Sequence, residues 1–403
     1  MTNEIITTQC CVVGGGPAGM MLGVLLARAG IDTVVLEKHA DFLRDFRGDT
    51  VHPSTLQVVH ELGWLERFLK LPHQQIKNLG LRIAGTYVPL ADFSHLPVQC
   101  RFIAFMPQWD FLDFLAERGA EIPAFRLRRR SEATGLVTED GRVVGVTVQE
   151  PEGTLTVRAD LVVAADGRRS VLRAAAGLVV KDLGAPMDVL WLKLPREAED
   201  PDAVLGNIIA GHVLVLINRG EYWQCAYVIP KGGYDQIRAA GLDAFRQNLV
   251  RAAPILAGRV EALESWDSVS MLTVTVDRLE EWCRPGFLCI GDAAHAMSPI
   301  GGVGINLAIQ DAVAAARILA PALRNGAPGI EVLQQVQRRR IWPTRATQRL
   351  QLLAQNRLVG PVLAGKGGSE LPMLLRLLRR FPFLRRYPAR LVGMGFRPEH
   401  VRD

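Results

Sequence analysis

The chain has 403 residues, of which 49% are hydrophobic and 22% charged, a composition typical of a soluble globular protein with room for two domains. The formal charge of +6 is small and is concentrated in an arginine-rich C-terminus, and no nucleic-acid-binding motif accompanies it, so we expect no nucleic-acid partner. Scattered cysteines and the absence of a long apolar run predict reduced thiols, no metal, no membrane span and a cytoplasmic location.

A glycine-rich turn follows the first predicted strand. Gly14 permits a tight turn, Gly16 lets backbone amides approach a pyrophosphate, and Gly19 lets the following helix pack closely on the strand. A second strand, Thr33 to Leu36, ends at Glu37, whose carboxylate is placed to accept hydrogen bonds from adenosine ribose hydroxyls. The pattern predicts a dinucleotide site without a 2′-phosphate, but it does not distinguish NAD from FAD.

The middle of the chain favours FAD. Turns at Asp140-Gly141 and Glu152-Gly153 separate runs of alternating valines, which predicts a three-stranded antiparallel meander. A buried strand, Leu161 to Ala165, then leads to Asp166. A meander that feeds back into a parallel sheet is carried by FAD-binding folds of the two-dinucleotide type and is generally absent from NAD-binding domains.

A second glycine cluster lies near residue 300. The predicted strand Phe287 to Ile290 ends just before Asp292, which is suited to accept hydrogen bonds from ribityl hydroxyls. A helix predicted from about Gly302 to Leu319 directs its first amides, including those of Gly304 and Asn306, toward the N1–C2=O edge of a flavin ring. The two clusters therefore predict the two ends of one FAD site.

Three motifs in this order resemble the p-hydroxybenzoate hydroxylase type of FAD-dependent monooxygenase. They are "GGGPAG" followed by a glutamate, "ADGRRSVLR" and "GDAAHAMSPIGGVGIN", and the resemblance extends from about residue 8 to 350. It implies an α/β fold: a Rossmann-like FAD-binding domain of the two-dinucleotide type, an inserted β-sheet substrate domain, and C-terminal helices.

The resemblance also implies roles for further residues. Arg47 and Gln108 would contact the flavin cofactor, although an ordinary surface arginine and a solvated helix start remain open alternatives. Asp166 would act mainly structurally, near the cofactor and the approach of the reductant. Pro299 would lie in the loop that faces the substrate side of the flavin. We expect His295 to have a structural role rather than to transfer protons.

The function implied is hydroxylation of an aromatic substrate through a C4a-hydroperoxyflavin, with non-covalent FAD, O₂, and NADPH or NADH as a transient reductant. Two alternatives stay open. An FAD enzyme of the same fold could catalyse another reaction, as a halogenase or an isoprenoid reductase does, although the halogenase motif W-x-W-x-I-P is absent. The other is a flavin-binding protein without turnover. Whether the protein is a monomer or a homodimer stays open.

The predicted domains are discontinuous. Residues 1–75, 101–180 and 270–340 are assigned to the FAD-binding domain, residues 76–100 and 181–269 to the substrate sheet, and residues 341–403 to a C-terminal helical region.

The predicted strand beginning at Tyr222 carries aromatic residues on both faces. Tyr222 and Tyr227 fall on opposite faces, and the sequence leaves open which face covers the flavin, so both are candidate substrate contacts. Arg219 is the one candidate for holding a substrate carboxylate, but it is expected in a solvated turn. With no thioredoxin-like tail expected after residue 403 and a Leu/Arg-rich end, we predict a lipophilic phenol, quinol or quinolone substrate.

Leucines at helical spacing, among them Leu374, Leu375 and Leu378, alternate with arginines near the C-terminus. The segment predicts either an interfacial membrane helix or a helix packed over the substrate domain with a solvated basic face. The second interpretation is favoured, and peripheral membrane contact is kept as an alternative.

Overall fold

The computed structural model describes residues 4–43, 50–201, 205–209, 211–365 and 372–401. The strands of this part of the chain are β1 (Glu4–Val13), β2 (Thr33–Glu37), β3 (Thr50–Val51), β4 (Gln74–Ile76), β5 (Asn78–Ile83), β6 (Thr86–Asp92), β7 (Ile103–Phe105), β8 (Phe125–Arg129), β9 (Glu132–Glu139), β10 (Arg142–Glu150), β11 (Gly153–Ala164), β12 (Val180–Asp182), β13 (Met187–Pro195), β14 (Leu205–Ile209), β15 (His212–Asn218), β16 (Tyr222–Pro230), β17 (Ser270–Leu272), β18 (Asp277–Leu279), β19 (Cys283–Arg284), β20 (Phe287–Cys289) and β21 (His295–Ala296). The α-helices are α1 (Pro17–Arg28), α2 (Pro53–Glu61), α3 (Leu65–Phe68), α4 (Gln108–Ala120), α5 (Val171–Ala175), α6 (Tyr234–Ala239), α7 (Leu242–Ala252), α8 (Gly304–Leu323), α9 (Ile330–Ala354), α10 (Gly360–Leu363), α11 (Met373–Arg380) and α12 (Arg386–Gly393).

A parallel sheet forms the first layer. Its neighbouring strands β20, β11, β1, β2 and β8 run parallel, and their apolar runs are buried on both faces, as parallel sheets require. The predicted meander is present as β9, β10 and β11. One detail differs from the prediction: its third strand and the buried strand before Asp166 are one continuous strand, β11, which pairs with β10 and then with β20.

Helix α1 packs against the parallel sheet and against helices α4 and α8. Close packing is possible because Gly23 has no side chain; a Cβ there would lie 2.4 Å from Val35 Cγ2. In the described part of the chain, one helical stretch, Ile300–Leu323, has the length and mean hydropathy to cross a membrane, but 78% of its apolar window is buried inside the protein. It therefore serves as a core helix. The predicted α/β class is confirmed.

A second, largely antiparallel sheet has the strand order β17, β13, β16, β15, β14, β5, β6. It thus joins strands from residues 78–92 to strands from residues 187–272. Its register places Trp191 opposite Ala226 and Leu216 opposite Cys225, so that the two faces alternate along each strand.

The two faces of this sheet have different neighbours. Trp223 and Tyr227 pack against Phe245 of helix α7 in one apolar cluster. On the opposite face, Trp191 packs with Ile103 and other residues of a second cluster that reaches the FAD-binding region. This second face therefore packs against Ile103 and Phe105 of β7, which lies within the predicted FAD-binding domain.

The C-terminal helices pack on the substrate sheet. Leu375 and Leu378 of α11 are buried against Val88 of β6, which is the favoured packed arrangement. The outward positions of the same helix are apolar too, since Met373 is 76% and Leu374 67% exposed.

Candidate active site

The first glycine cluster forms a turn between β1 and α1. Gly14 has φ +108°, and a Cβ at this position would lie 2.4 Å from the Ala165 carbonyl oxygen. A Cβ at Gly19 would lie 1.9 Å from the Gly14 carbonyl oxygen, so the turn and the helix touch backbone to backbone. By contrast, no described heavy atom lies within 4 Å of a Cβ built at Gly16. The helix N-terminus therefore faces open space beside Gly16, with its first amides free to meet an anion.

Glu37 lies at the end of β2 beside this turn. Its Oε2 accepts a hydrogen bond from the Gly15 amide and its Oε1 from the His39 amide, each at 3.0 Å. The residue is 8% exposed. The carboxylate is consequently fixed at the edge of the turn, at the place where the sequence predicts a ribose.

The end of β11 delivers Asp166 next to the same turn. The Ala165 amide donates to the Val13 carbonyl at 2.7 Å, and Asp166 Oδ1 is a buried acceptor without a partner among the described residues. Burial raises the pKa of Asp166, although hydrogen bonds from Ser170 and nearby amides oppose the shift. A buried, unsatisfied acceptor is costly, which indicates that a donor from a bound group belongs here.

The second glycine cluster follows β20. Asp292 forms an ion pair with Arg168 at 3.0 Å, which links this loop to the segment after Asp166. Gly302 has φ +63°, and its carbonyl accepts a hydrogen bond from Thr50 Oγ1 at 2.9 Å. Thr55 Oγ1 donates to Asn306 Oδ1. Thr50 and Thr55, on either side of the start of α2, therefore fix the loop at Gly302 and the first turn of α8 by hydrogen bonds.

His52 lies between these two threonines and is fully buried. Its Nδ1 donates to the Val392 carbonyl at 2.8 Å, so it connects α12 to the segment between β3 and α2. Burial lowers the pKa of His52 to about 4, and hydrogen bonds to Val392 and Gly302 oppose only part of that shift. The imidazole is therefore neutral near pH 7.

Sequence reasoning missed Asp311 in α8. Its Oδ2 accepts hydrogen bonds from the Gly291 amide at 3.1 Å and from His295 Nε2 at 2.5 Å, while its Oδ1 accepts from Arg340 Nε at 2.8 Å. The expected structural role of His295 agrees with this contact. A single acidic residue within an apolar helix was the signal that could have identified Asp311. Thr50, His52 and Thr55 gave no comparable signal.

The other predicted site residues are placed as follows. Pro299 lies in the loop between β21 and α8, where its carbonyl accepts a hydrogen bond from the Gly302 amide at 3.0 Å. Gln108 is half-buried as the first residue of α4. Arg47 lies outside the described residues.

The two candidate tyrosines, Tyr222 and Tyr227, lie on opposite faces of the antiparallel sheet. Tyr227 is buried under α7, and its hydroxyl lies 2.5 Å from His212 Nδ1. Tyr222 is half-buried at the start of β16, with the Lys193 ammonium 5.4 Å from its ring centroid. The position of Tyr227 on the helix-covered face gives no support for a substrate contact, so we keep that prediction for Tyr222 alone.

Arg219 differs from its predicted environment. The turn is as predicted, since the Arg219 amide donates to the Tyr222 carbonyl at 2.9 Å. Its side chain, however, is half-buried and donates from Nε to Gln224 Oε1 at 3.0 Å. Gln224 lies on the sheet face that is directed toward the FAD-binding region, because it alternates with the residues under α7. Arg219 is therefore on the inner face and not fully solvated.

Together these residues fit FAD. The Gly14–Gly19 turn leaves space at a helix N-terminus, Glu37 and Asp292 offer carboxylates at the two ends, and Asp166 has an unsatisfied acceptor between them. The first turn of α8 supplies a second helix N-terminus.

Residues 7–349 match the family model of the FAD binding domain. The chain belongs to this family. It is 34% identical over 357 residues to a 6-methylpretetramide 4-monooxygenase of Streptomyces rimosus, covering 87% of this chain and 84% of the relative. It is 28% identical to a dialkyldecalin synthase of Streptomyces rugosporus, covering 79% of this chain but only 66% of that protein.

Among solved structures, the chain resembles the anhydrotetracycline hydroxylase OxyS of Streptomyces rimosus. The TM-score is 0.76 at 26% identity, with 96% of this chain and 76% of that chain covered. The expected FAD-binding fold, the FAD cofactor and the assignment to FAD-dependent aromatic monooxygenases are thereby confirmed.

Proposed function

We propose that this monooxygenase hydroxylates a large, mostly apolar phenol with several fused rings, using NADPH or NADH and O₂. The observation that carries this proposal is the inner face of the substrate sheet. There, apolar side chains such as Trp191 share the face with the polar residues Lys193 and Gln224, and Arg219 Nε donates to Gln224 Oε1. An apolar wall with a cationic edge, formed by Arg219 and Lys193, suits a wide aromatic body that carries an acidic phenol or enol.

Two relatives support the same substrate class. One is named for 6-methylpretetramide and the structural neighbour for anhydrotetracycline. We extend this chemistry to the present chain because its Leu- and Arg-rich C-terminal segment also favours a lipophilic phenol.

The cofactor would be held without a covalent bond, by Gly14, Gly16 and Glu37 at the adenosine end and by Asp292 and Asn306 at the flavin end. When bound, FAD supplies hydride acceptance and oxygen activation. The protein positions the substrate ring, excludes water and, through the first amides of α8, stabilises negative charge at the edge of the ring. Acid precipitation tests the attachment: FAD should enter the supernatant, and flavin retained in the pellet would contradict it.

Substrate class is tested by NADPH and NADH oxidation with and without added phenols. We expect a tetracyclic phenol to stimulate oxidation more than p-hydroxybenzoate at equal concentration, with little uncoupled H₂O₂. Arg219→Gln should raise the KM for the tetracyclic phenol and leave unstimulated oxidation unchanged. Tight binding and fully coupled hydroxylation of p-hydroxybenzoate would contradict the proposed substrate class.

A second function is favoured by one observation, the 28% identity to a dialkyldecalin synthase. In that case the protein would bind FAD and convert a substrate without a net redox change. The two functions predict different products, because hydroxylation adds one oxygen atom and cyclisation leaves the mass unchanged.

We place the protein in the cytoplasm, where a nicotinamide reductant is available. Its six cysteines are buried as free thiols, which is compatible with a reducing compartment. Size-exclusion chromatography with light scattering would distinguish a monomer from a homodimer.

The C-terminal basic surface, residues 373–387, would make a weak contact with anionic membranes. It exposes Met373, Leu374 and Phe383, and no acidic residue lies between residues 372 and 398. Exposed apolar side chains among arginines suit a lipid headgroup region. We expect flotation with vesicles of phosphatidylcholine and phosphatidylglycerol, but not with phosphatidylcholine alone. Equal recovery from both vesicles, or from neither, would contradict this contact.

A further inference from the structure

A chain of buried ionisable side chains connects the loop between β20 and α8 to the C-terminal segment. Asp311 and Arg340 are both 0% exposed, His295 is 1% exposed and Glu399 is 2% exposed. They come from α8, α9, β21 and the segment after α12. Buried charges seldom add stability over apolar residues of similar size. We therefore ask which neighbouring groups these side chains hold in place, rather than how much they add to the stability of the fold.

Asp311 joins the two halves of the flavin end. It belongs to α8, the helix whose first amides face the ring, and it accepts a hydrogen bond from the amide of Gly291, the residue before Asp292. One flavin must meet both Asp292 and the start of α8. The hydrogen bond between the Gly291 amide and Asp311 therefore sets the distance between Asp292 and the first turn of α8, the two groups that would bind the flavin.

The carboxylate of Asp311 is held in one orientation. Arg340 Nε binds Oδ1 at 2.8 Å, while His295 Nε2 and the Gly291 amide bind Oδ2. Burial alone would raise the pKa of Asp311, but His295 and Arg340 hold the pKa below its usual value. The ionised group therefore accepts three hydrogen bonds, two at Oδ2 and one at Oδ1.

Glu399 completes the chain of charges. Its Oε1 lies 3.4 Å from Arg340 Nη1 and 2.6 Å from Arg339 Nε, and its Oε2 lies 3.2 Å from Arg317 Nη2. Without the Glu399 carboxylate, the buried guanidinium of Arg340 would keep only the Asp311 carboxylate as an ion-pair partner among the described residues. The segment after α12 thus takes part in fixing the side chain that orients Asp311.

We propose that Asp311 is a positioning residue for FAD, oriented by Arg340, and that Glu399 of the C-terminal segment contributes to FAD affinity through its ion pair with Arg340, beyond its part in docking that segment. The proposal rests on the FAD site described above, but not on any particular substrate. It adds three residues of this chain, Asp311, Arg340 and Glu399, to the determinants of cofactor affinity.

The test measures FAD dissociation from the full-length holoenzyme by the rise in flavin fluorescence on dilution. For Asp311→Asn we expect the Kd to rise about tenfold, the effect of losing one charge-assisted hydrogen bond. For Glu399→Gln we expect a rise of about threefold, because Arg339 and Arg317 can turn to water while Arg340 cannot. The visible spectrum of the bound flavin should shift in both variants.

Glu61→Gln is the matched control. Glu61 also holds the C-terminal segment, since it lies 2.6 Å from His400 Nδ1 and accepts from the Val401 amide at 2.8 Å, but the structure shows no contact between it and the described members of the charge chain. It should lower thermal stability and leave the FAD Kd unchanged.

Equal Kd changes in Glu399→Gln and Glu61→Gln would overturn the proposal, because docking of the segment alone would then explain them. Wild-type FAD affinity in folded Asp311→Asn or in Glu399→Gln would overturn it too. If Asp311→Asn does not fold, Glu399→Gln and its control still decide. No turnover enters these measurements, so a failure of the proposed substrate class would leave their outcome unaffected.

Discussion

The turn at Gly14–Gly16 and the loop from Gly291 to Asn306 hold opposite ends of the cofactor site, yet their supporting contacts come from different distances along the chain. Around Gly14, the turn, the helix and Glu37 lie within 24 consecutive residues, and close backbone contact through glycine is the main device. Around Gly302, the contacts come from Thr50 and Thr55, about 250 residues earlier.

The difference has a physical cause. A phosphate is recognised by backbone amides at a helix N-terminus, so a short local motif can build that site almost alone. A flavin ring needs a fixed helix end at a fixed distance from the ribityl contact, and only tertiary packing supplies such a distance. Substitutions at the adenosine end should therefore act through local sterics, and those at the flavin end through distant partners.

The largest effect should come from Gly19→Ala. The added Cβ would approach the Gly14 carbonyl oxygen to 1.9 Å, so the turn or helix α1 must move. We expect a loss of more than about 3 kcal/mol of unfolding free energy, as for overpacking in a rigid core, measured by urea denaturation. Gly16→Ala is the matched control, since the new methyl group meets open space; it should keep the stability and weaken FAD binding.

Asp292→Ala should reduce FAD affinity by about 1.5–3 kcal/mol, because charge-assisted hydrogen bonds to the ribityl chain are lost. The fold should survive, since the Asp292 side chain is 32% exposed. Cofactor occupancy after purification is the measurement. Asp32→Ala removes a comparable exposed partner of an arginine elsewhere in the domain and should leave occupancy unchanged. Full occupancy in Asp292→Ala would refute the placement of the ribityl chain.

Acid should weaken the flavin end through His52. Because burial holds its folded pKa near 4, below the unfolded value of 6.5, its contribution to stability is complete above pH 6.5 and is lost as the pH falls toward 4. We expect about 2 kcal/mol less unfolding free energy at pH 5 than at pH 7 from this group. His52→Gln should remove that difference, while the exposed His60→Gln should keep it. Identical pH profiles for wild type and His52→Gln would count against the assignment.

The smallest effect should come from Thr55→Val, which removes the hydrogen bond to Asn306 without changing the side-chain shape. We expect about 1 kcal/mol of lost stability and a small shift in the visible spectrum of the bound flavin. Thr55→Ser keeps the hydroxyl and should restore the wild-type spectrum. If the valine and serine variants have the same spectrum, Thr55 does not orient the start of α8.

The same contrast explains what could be read from the sequence. Gly14, Gly19 and Glu37 could be placed because their motif is local, and Asp292 because it ends an apolar strand. The partners Thr55 and Arg340 could not, since nothing in a single sequence pairs Thr55 with Asn306, which is 251 positions away, or Arg340 with Asp311, which is 29 positions away on another helix.

The substrate sheet shows a related limit. Alternation along β16 separated Tyr222 from Tyr227, but the face that α7 covers is decided by packing. For Arg219, the turn was predicted correctly and the burial of its side chain was not, because burial depends on Gln224 and on the neighbouring domain.

The central claim is that the protein transfers one oxygen atom from O₂ to an aromatic ring. Turnover of a tetracyclic phenol under ¹⁸O₂, followed by mass spectrometry of the product, tests it most directly. The account predicts a product that carries one ¹⁸O atom, with reductant consumed in proportion. A product of unchanged mass, a product reduced by two hydrogens, or a hydroxyl group labelled from water would contradict it.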